Sequence, residues 1–214
     1  TTDYLSNISQ LVTEFTVNGG TNHANYEESY PIVLTNTPMQ TSYKGDETLK
    51  KAPAKGSPES PYDLSTEGGS ISMTTANCYI VNAPGTYQLP LVYGNAIKDG
   101  GTNEEAYNNA AFVNHLGQRI TSPYIKENSG CTPHDCALVW SDGFYMFKDV
   151  HLSEDEAYLV FTLDCQFMQQ ANAIVAVRDD DGNIMWSWHI WVTEHEDIYG
   201  TYEIDDWDNA STKY

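Results

Sequence analysis

Apolar positions in this chain recur at every second residue over short runs, and the runs are separated by Gly, Pro, Asn and Asp. A period of two is that of a strand with one buried face, and the separators are turn formers. Strands are predicted over residues 11–17, 31–35, 70–74, 78–82, 86–92, 120–124, 137–141, 144–150, 157–163, 173–178 and 184–193. Only 102–115 suggests a helix, of a turn or two. Short strands without a sustained helical stripe predict an all-β chain folded as an antiparallel β-sandwich, Ig-like in kind, with at most one short helix.

The clearest local prediction is a hairpin near the end. Val175 and Val177 share one face of the incoming strand, and Asp179-Asp180-Asp181-Gly182-Asn183 supplies turn chemistry. On the outgoing strand Ile184, Trp186, Trp188, Ile190 and Val192 form an apolar face that is expected to be core. Met185, Ser187, His189, Trp191 and Thr193 form a mixed face. Two indoles two residues apart each bury on the order of 200 Å², so Trp186→Ala or Trp188→Ala is expected to unfold the domain. Cys78-Tyr79-Ile80-Val81 is the expected partner strand, with Tyr79 and Val81 on one face.

Residues 44–61 break the pattern. They hold four of the ten basic residues, three prolines and almost nothing to bury, which reads as an exposed linker. The chain is therefore divided into 1–61, N-terminal strands and linker of a preceding module or an arm, and 62–214, a sandwich with an acidic tail.

Charge narrows the partners. Ten Lys and Arg against 30 Asp and Glu give a net charge of −20. That excludes a phosphate-binding surface and so nucleic acid, and no window is apolar enough to enter a bilayer. Disorder is excluded by the 15 Tyr, 5 Trp and 6 Phe. Residues 179–214 carry ten acids against one lysine, among four of the five tryptophans. The start, Thr1-Thr2-Asp3-Tyr4-Leu5, lacks the basic end and apolar run of a signal peptide, so the chain is expected to be mature or cut from something longer.

Candidate chemistry is sparse, and no catalytic residue and no cofactor is assigned. Cys131 and Cys136 could close a small disulfide loop, whereas Cys78 and Cys165 lie in strand-like runs as small hydrophobes. No nucleophile elbow is present, and Cys136 with His134 makes a surface turn more simply than a dyad. Paired carboxylates are plentiful, but a glycosidase pair cannot be read from spacing in a β fold. Asp179, Asp181 and Asn183 imitate the start of an EF-hand loop, yet Gly182 falls at the wrong position and Ile190 stands where Glu is needed. A looser calcium site could draw on Asp179, Asp181, Glu194, Glu196, Asp197, Asp205, Asp206 and Asp208, and a zinc site on His189, Glu194 and His195. The plainer reading of the acids is solvated surface. Trp191, Trp207, Tyr199 and Tyr202 could stack on sugar rings or serve as core and interface.

Two strings resemble a known domain. Ala76-Asn77-Cys78-Tyr79-Ile80-Val81, followed by Pro84-Gly85-Thr86-Tyr87 and Gly94-Asn95, resembles the start of a domain of Bacteroidales surface proteins, and residues 182–193, with Trp186, Trp188, His189 and Trp191, resemble its close. Such domains occur in fimbrillin-like and pilus-tip-like proteins displayed outside the outer membrane. Over about 62–195 the resemblance implies a fimbrillin-like sandwich used in adhesion or pilus assembly. It also implies no catalytic residues and an outer-membrane anchor in a segment not present here. The expected partners are other protein subunits or host and bacterial surface ligands. In pilin-like members an extended strand completes a neighbour's sheet, and residues 8–17 and the tail after Thr201 are the segments free to do so. The alternative is a carbohydrate-binding module of a glycan-handling surface protein.

Overall fold

The computed structural model describes residues 44–194, with the side chains of 46–194, and the backbone of four strands outside that span. The chain divides into two compact units, Thr1–Thr41 and Ser42–Tyr214. In the first, β1 (Glu14–Thr21) and β2 (Ala24–Pro31) form an antiparallel hairpin. The run 31–35 lies for the most part outside the described residues, as does the start of 11–17.

The second unit is a sandwich of two four-stranded sheets. Its strands are β3 (Tyr62–Asp63), β4 (Cys78–Val81), β5 (Gly85–Pro90), β8 (Asp135–Ser141), β9 (Phe147–Leu152), β10 (Tyr158–Leu163), β11 (Ala171–Arg178) and β12 (Ile184–Val192). One sheet runs β3-β5-β10-β9 and the other β4-β12-β11-β8. Short pairs β6 (Ile97–Lys98) with β7 (Gly101–Thr102), and β13 (Glu203–Asp205) with β14 (Ser211–Lys213), complete the strands described. Within each sheet the neighbours are antiparallel except at one edge, where β3 joins β5 and β4 joins β12 in parallel. Residues 70–74 and 120–124, alternating in sequence, form irregular chain with bends and an isolated bridge at Tyr124 instead of strands.

Period-two patterning places the core as expected. Leu89, Leu159 and Phe161 from one sheet face Val175, Trp188 and Ile190 from the other, all fully buried. Each such side chain contributes about 1.5–3 kcal/mol on leaving water. Tyr79 and Val81 are the buried positions of β4, so the partner strand expected for the tryptophan-rich segment takes that place.

The apolar face of β12 is corrected at its start. Trp186 stands opposite Val177, but Ile184 stands opposite Arg178, so Met185 is an extra residue in a bulge. A bulge reverses which side the preceding residue faces. Met185 is therefore buried, Ile184 is 44% exposed, and Trp186 is half-buried, edge-on to Tyr93 with ring centroids 5.1 Å apart.

The linker is corrected too. Residues Lys44–Lys51 form a helix, α1, with acids in the first turn and lysines in the last, which complements the helix dipole. Its Leu49 is fully buried in the core, and Asp46 accepts a hydrogen bond from the Gln170 N–H at 2.8 Å. Lys55 then bridges to Gly85, whose φ is +139°. A Cβ there would lie 1.8 Å from the Lys55 carbonyl oxygen, so only glycine admits this crossing. Two residues on, Tyr87 donates its hydroxyl to the Ala83 carbonyl at 2.7 Å. The sequence expects helix at 102–115, where the chain forms only a 3-10 turn at Glu104–Ala106.

Candidate functional site

Two features meet along β4. The first is an open edge. In a parallel ladder alternate residues of a strand bond to their neighbour. Here the His189 N–H donates to the Asn77 carbonyl and the Thr193 N–H to that of Val81. With Cys78 in register with His189, the backbone groups of Cys78 and Ile80 point away from β12. Among the described residues no strand pairs with that side of β4. A cleft of about 440 Å³ follows the edge, lined by Lys55, Tyr62 and Ser65 from the β3 side and by Cys78, Tyr79 and Ile80 from β4. It touches side chains of both faces of β4, so it borders the strand itself. Tyr62 packs edge-on against Tyr87, and Lys55 Nζ lies 5.2 Å above the Tyr62 ring.

The second feature crosses the outer face of the sheet. Cys78 Sγ lies 3.1 Å from His189 Nδ1, and His189 Nε2 lies 3.0 Å from Asn172 Oδ1. Asn172 in turn donates from its backbone N–H to Asp142 Oδ1 at 2.6 Å and from Nδ2 to Asp142 Oδ2 at 3.2 Å. The row draws on β4, β12, β11 and the residue after β8. The sequence isolates Cys78 and His189 as parts of two signature strings but not as a pair, and it gives no sign of Asn172, because only cross-strand register brings the three together. Burial pushes the Cys78 thiol up from its ordinary value.

The same face carries exposed aromatics. Trp191 pairs in register with Asn172, and Trp140, 53% exposed, pairs with Ile174. Beyond β8, Phe144 and Tyr145 are the most exposed large apolar side chains among the described residues, with Tyr145 against Phe167.

The other sequence candidates are dispersed. Cys131 and Cys136 are free, buried thiols and no disulfide joins them. Cys131 accepts from Asn114 Nδ2 at 3.3 Å, whereas Cys136 sits in β8 opposite Val177, where burial raises its pKa to about 12. His134 donates its N–H to the Arg178 carbonyl. Asp179 is occupied in turn chemistry: Oδ1 accepts from the N–H groups of Asp181 and Asn183, and Oδ2 from Asn183 Nδ2. Those bonds, first the one from the Asn183 side chain, hold its carboxyl below the ordinary range. Among the described residues no three His, Cys, Asp or Glu side chains gather as a metal site. Glu196, Asp197, Asp206, Asp208, His195, Tyr199, Tyr202 and Trp207, and the side chain of Asp205, lie outside the described residues. No family model, curated protein or solved structure matches this chain.

Proposed function

We propose that this domain is a cell-surface module that acts through protein–protein contacts in adhesion or assembly, and that β4 is the edge a partner strand joins. The carrying observation is the cleft that runs along an edge strand whose Cys78 and Ile80 backbone groups face outward. An added strand would gain main-chain hydrogen bonds there and set alternate side chains in the cleft. The resemblance to fimbrillin-like and pilus-tip-like domains supports the same reading, including export and display at the outer membrane. The segments 8–17 and beyond Thr201 are the candidate donors; their described strands β1, β13 and β14 are each already paired on one side and would add through the other.

Light scattering with concentration, together with amide exchange, tests this. Association should slow exchange of the Ile80 amide. Ile80→Pro removes that outward N–H without removing a β4–β12 hydrogen bond, as proline is tolerated on an edge, and it should abolish association in a folded chain. Association with an unprotected Ile80 amide, or no association with self or with surface-protein partners, would refute the proposal.

A second reading is a carbohydrate-binding face, favoured by Trp191 and Trp140 on one outer surface. A glycan array separates the two: saturable sugar binding lost in Trp140→Ala and kept in Ile80→Pro selects the sugar reading.

A further inference from the structure

The proton positions in the row across the outer face are fixed from one end. A carboxylate only accepts hydrogen bonds. Asp142 therefore takes the NH₂ of Asn172, which leaves the Asn172 carbonyl oxygen toward His189. An oxygen acceptor at 3.0 Å requires His189 to donate from Nε2. In the neutral ring Nδ1 then holds a lone pair, aimed at Cys78 Sγ 3.1 Å away. The arrangement is a nucleophile, a base and a group that orients the base.

No other thiol combines it with access to a reagent. Among the described residues no hydrogen bond joins the exposed Cys165 to a histidine, Cys136 is buried, and Cys131, with His115 Nδ1 at 3.9 Å and His115 Nε2 3.4 Å from Asp179 Oδ2, is buried as well. Cys78 is exposed and borders the cleft along β4, so a reagent can reach the sulfur and has space beside it.

We infer that Cys78 is a base-activated thiol and a site of covalent modification by thiol–disulfide exchange with small disulfides. The proton on Sγ passes to His189 Nδ1 as the sulfur attacks one sulfur of the disulfide. The disulfide's S–S bond breaks, and the leaving thiolate takes the proton back from His189 and departs as a thiol. One disulfide is consumed and one is formed, so the incoming disulfide is the only oxidant required. Asn172 is a positioning residue that acts through His189. The inference does not rest on strand addition at β4.

The test is the rate of mixed-disulfide formation with bis(hydroxyethyl) disulfide at neutral pH, followed cysteine by cysteine by mass spectrometry after quenching. Cys78 should react about tenfold faster than Cys165 in the same sample, short of the roughly 10²–10⁴-fold that general-base assistance typically gives, because burial of the Cys78 thiol works against its ionisation. His189→Gln should slow Cys78 by about tenfold and leave Cys165 unchanged, and Asn172→Ala should slow Cys78 by a smaller factor. Cys131 and Cys136 report folding, since both become reactive if a variant unfolds. The comparison within the wild-type chain needs no variant. A Cys78 rate no greater than that of Cys165 overturns the inference, as does a folded His189→Gln chain with an undiminished Cys78 rate.

Discussion

Cys78 and His189 stand 111 residues apart in sequence and meet as register partners across the parallel β4–β12 pair, with Sγ 3.1 Å from Nδ1. The two strings that stand out in the sequence are thus adjacent strands of one sheet. Tyr79 and Val81 turn inward to the core that Trp188 and Ile190 fill, and Cys78 turns outward beside His189. One alternation serves two purposes, packing on one face and an ordered polar row on the other.

The two tryptophans should differ in cost. Trp188 is 1% exposed, and Trp188→Ala is expected to lose about 3–5 kcal/mol. Trp186 keeps part of its surface in water, so Trp186→Ala should lose about 1–2 kcal/mol. Trp188 Nε1 is buried with no hydrogen-bond partner. Trp188→Phe removes that orphan along with some volume and should cost less than half as much as Trp188→Ala. Urea denaturation of the three variants checks the order, and equal losses for both alanine variants would contradict it.

Leu49→Ala should lose about 2–5 kcal/mol, the range for a fully buried leucine. A chain in which 44–61 were a solvated linker would lose almost nothing, so a single thermal melt decides between the two.

Alkali should unfold the domain through its tyrosines. Burial raises Tyr79 to about 12 and pushes Tyr87 and Tyr93 up as well. A group whose pKa is higher when folded stabilises the fold below its unfolded value, about 10 for tyrosine, and loses that contribution as pH climbs through the folded value. Stability should therefore fall from about pH 10 upward. Absorbance titration should show one set of tyrosines ionising freely and another only with the loss of near-ultraviolet circular dichroism. A single early titration of all of them would show that these rings are accessible.

Acid should act in the opposite sense. Asp135 receives Nε and Nη2 of Arg178 at 2.8 and 2.5 Å, and that bidentate bond holds its carboxyl below the ordinary range. Asp164, bonded by Lys148, and Asp155, bonded by Ser153, are lowered as well. Lowered carboxyls stabilise the fold above their unfolded values, about 4, and lose that contribution as pH falls through the folded ones. The melting temperature should drop on acidification below about pH 4, and Asp135→Asn should flatten that drop. Unchanged pH dependence in the variant would show that the Arg178 pair carries no part of it.

Legibility in the sequence followed locality. The β11–β12 hairpin could be read because Val175, Val177, Trp188 and Ile190 alternate around a turn of Asp and Gly. The bulge at Met185 could not, since Ile184 is as apolar as any core residue and only pairing against Arg178 turns it out. Helix α1 was hidden because Leu49 is its single buried apolar side chain, too little for a stripe. Period-two runs at 70–74 and 120–124 mimic strands, but among the described residues no strand forms a ladder with either. Asn172 carried no signal at all: its role depends on the diagonal reach of a side chain from the neighbouring strand.

The parallel edge also shapes how the sheet is completed in time. β11 and β12 are joined by a short turn, and β8 ends at Ser141 with only β9 and β10 of the other sheet between it and Ala171 of β11, so these three pair over much shorter spans of chain than β4 and β12 do. β4 is made early and has no partner until β12 exists, 111 residues later at Cys78 and His189. Closing that long loop is the non-local and therefore slow step. During synthesis β4 spends that interval with both of its edges open and Tyr79 and Val81 uncovered. A nascent chain of this kind depends on being held apart from its neighbours until its last sandwich strand arrives.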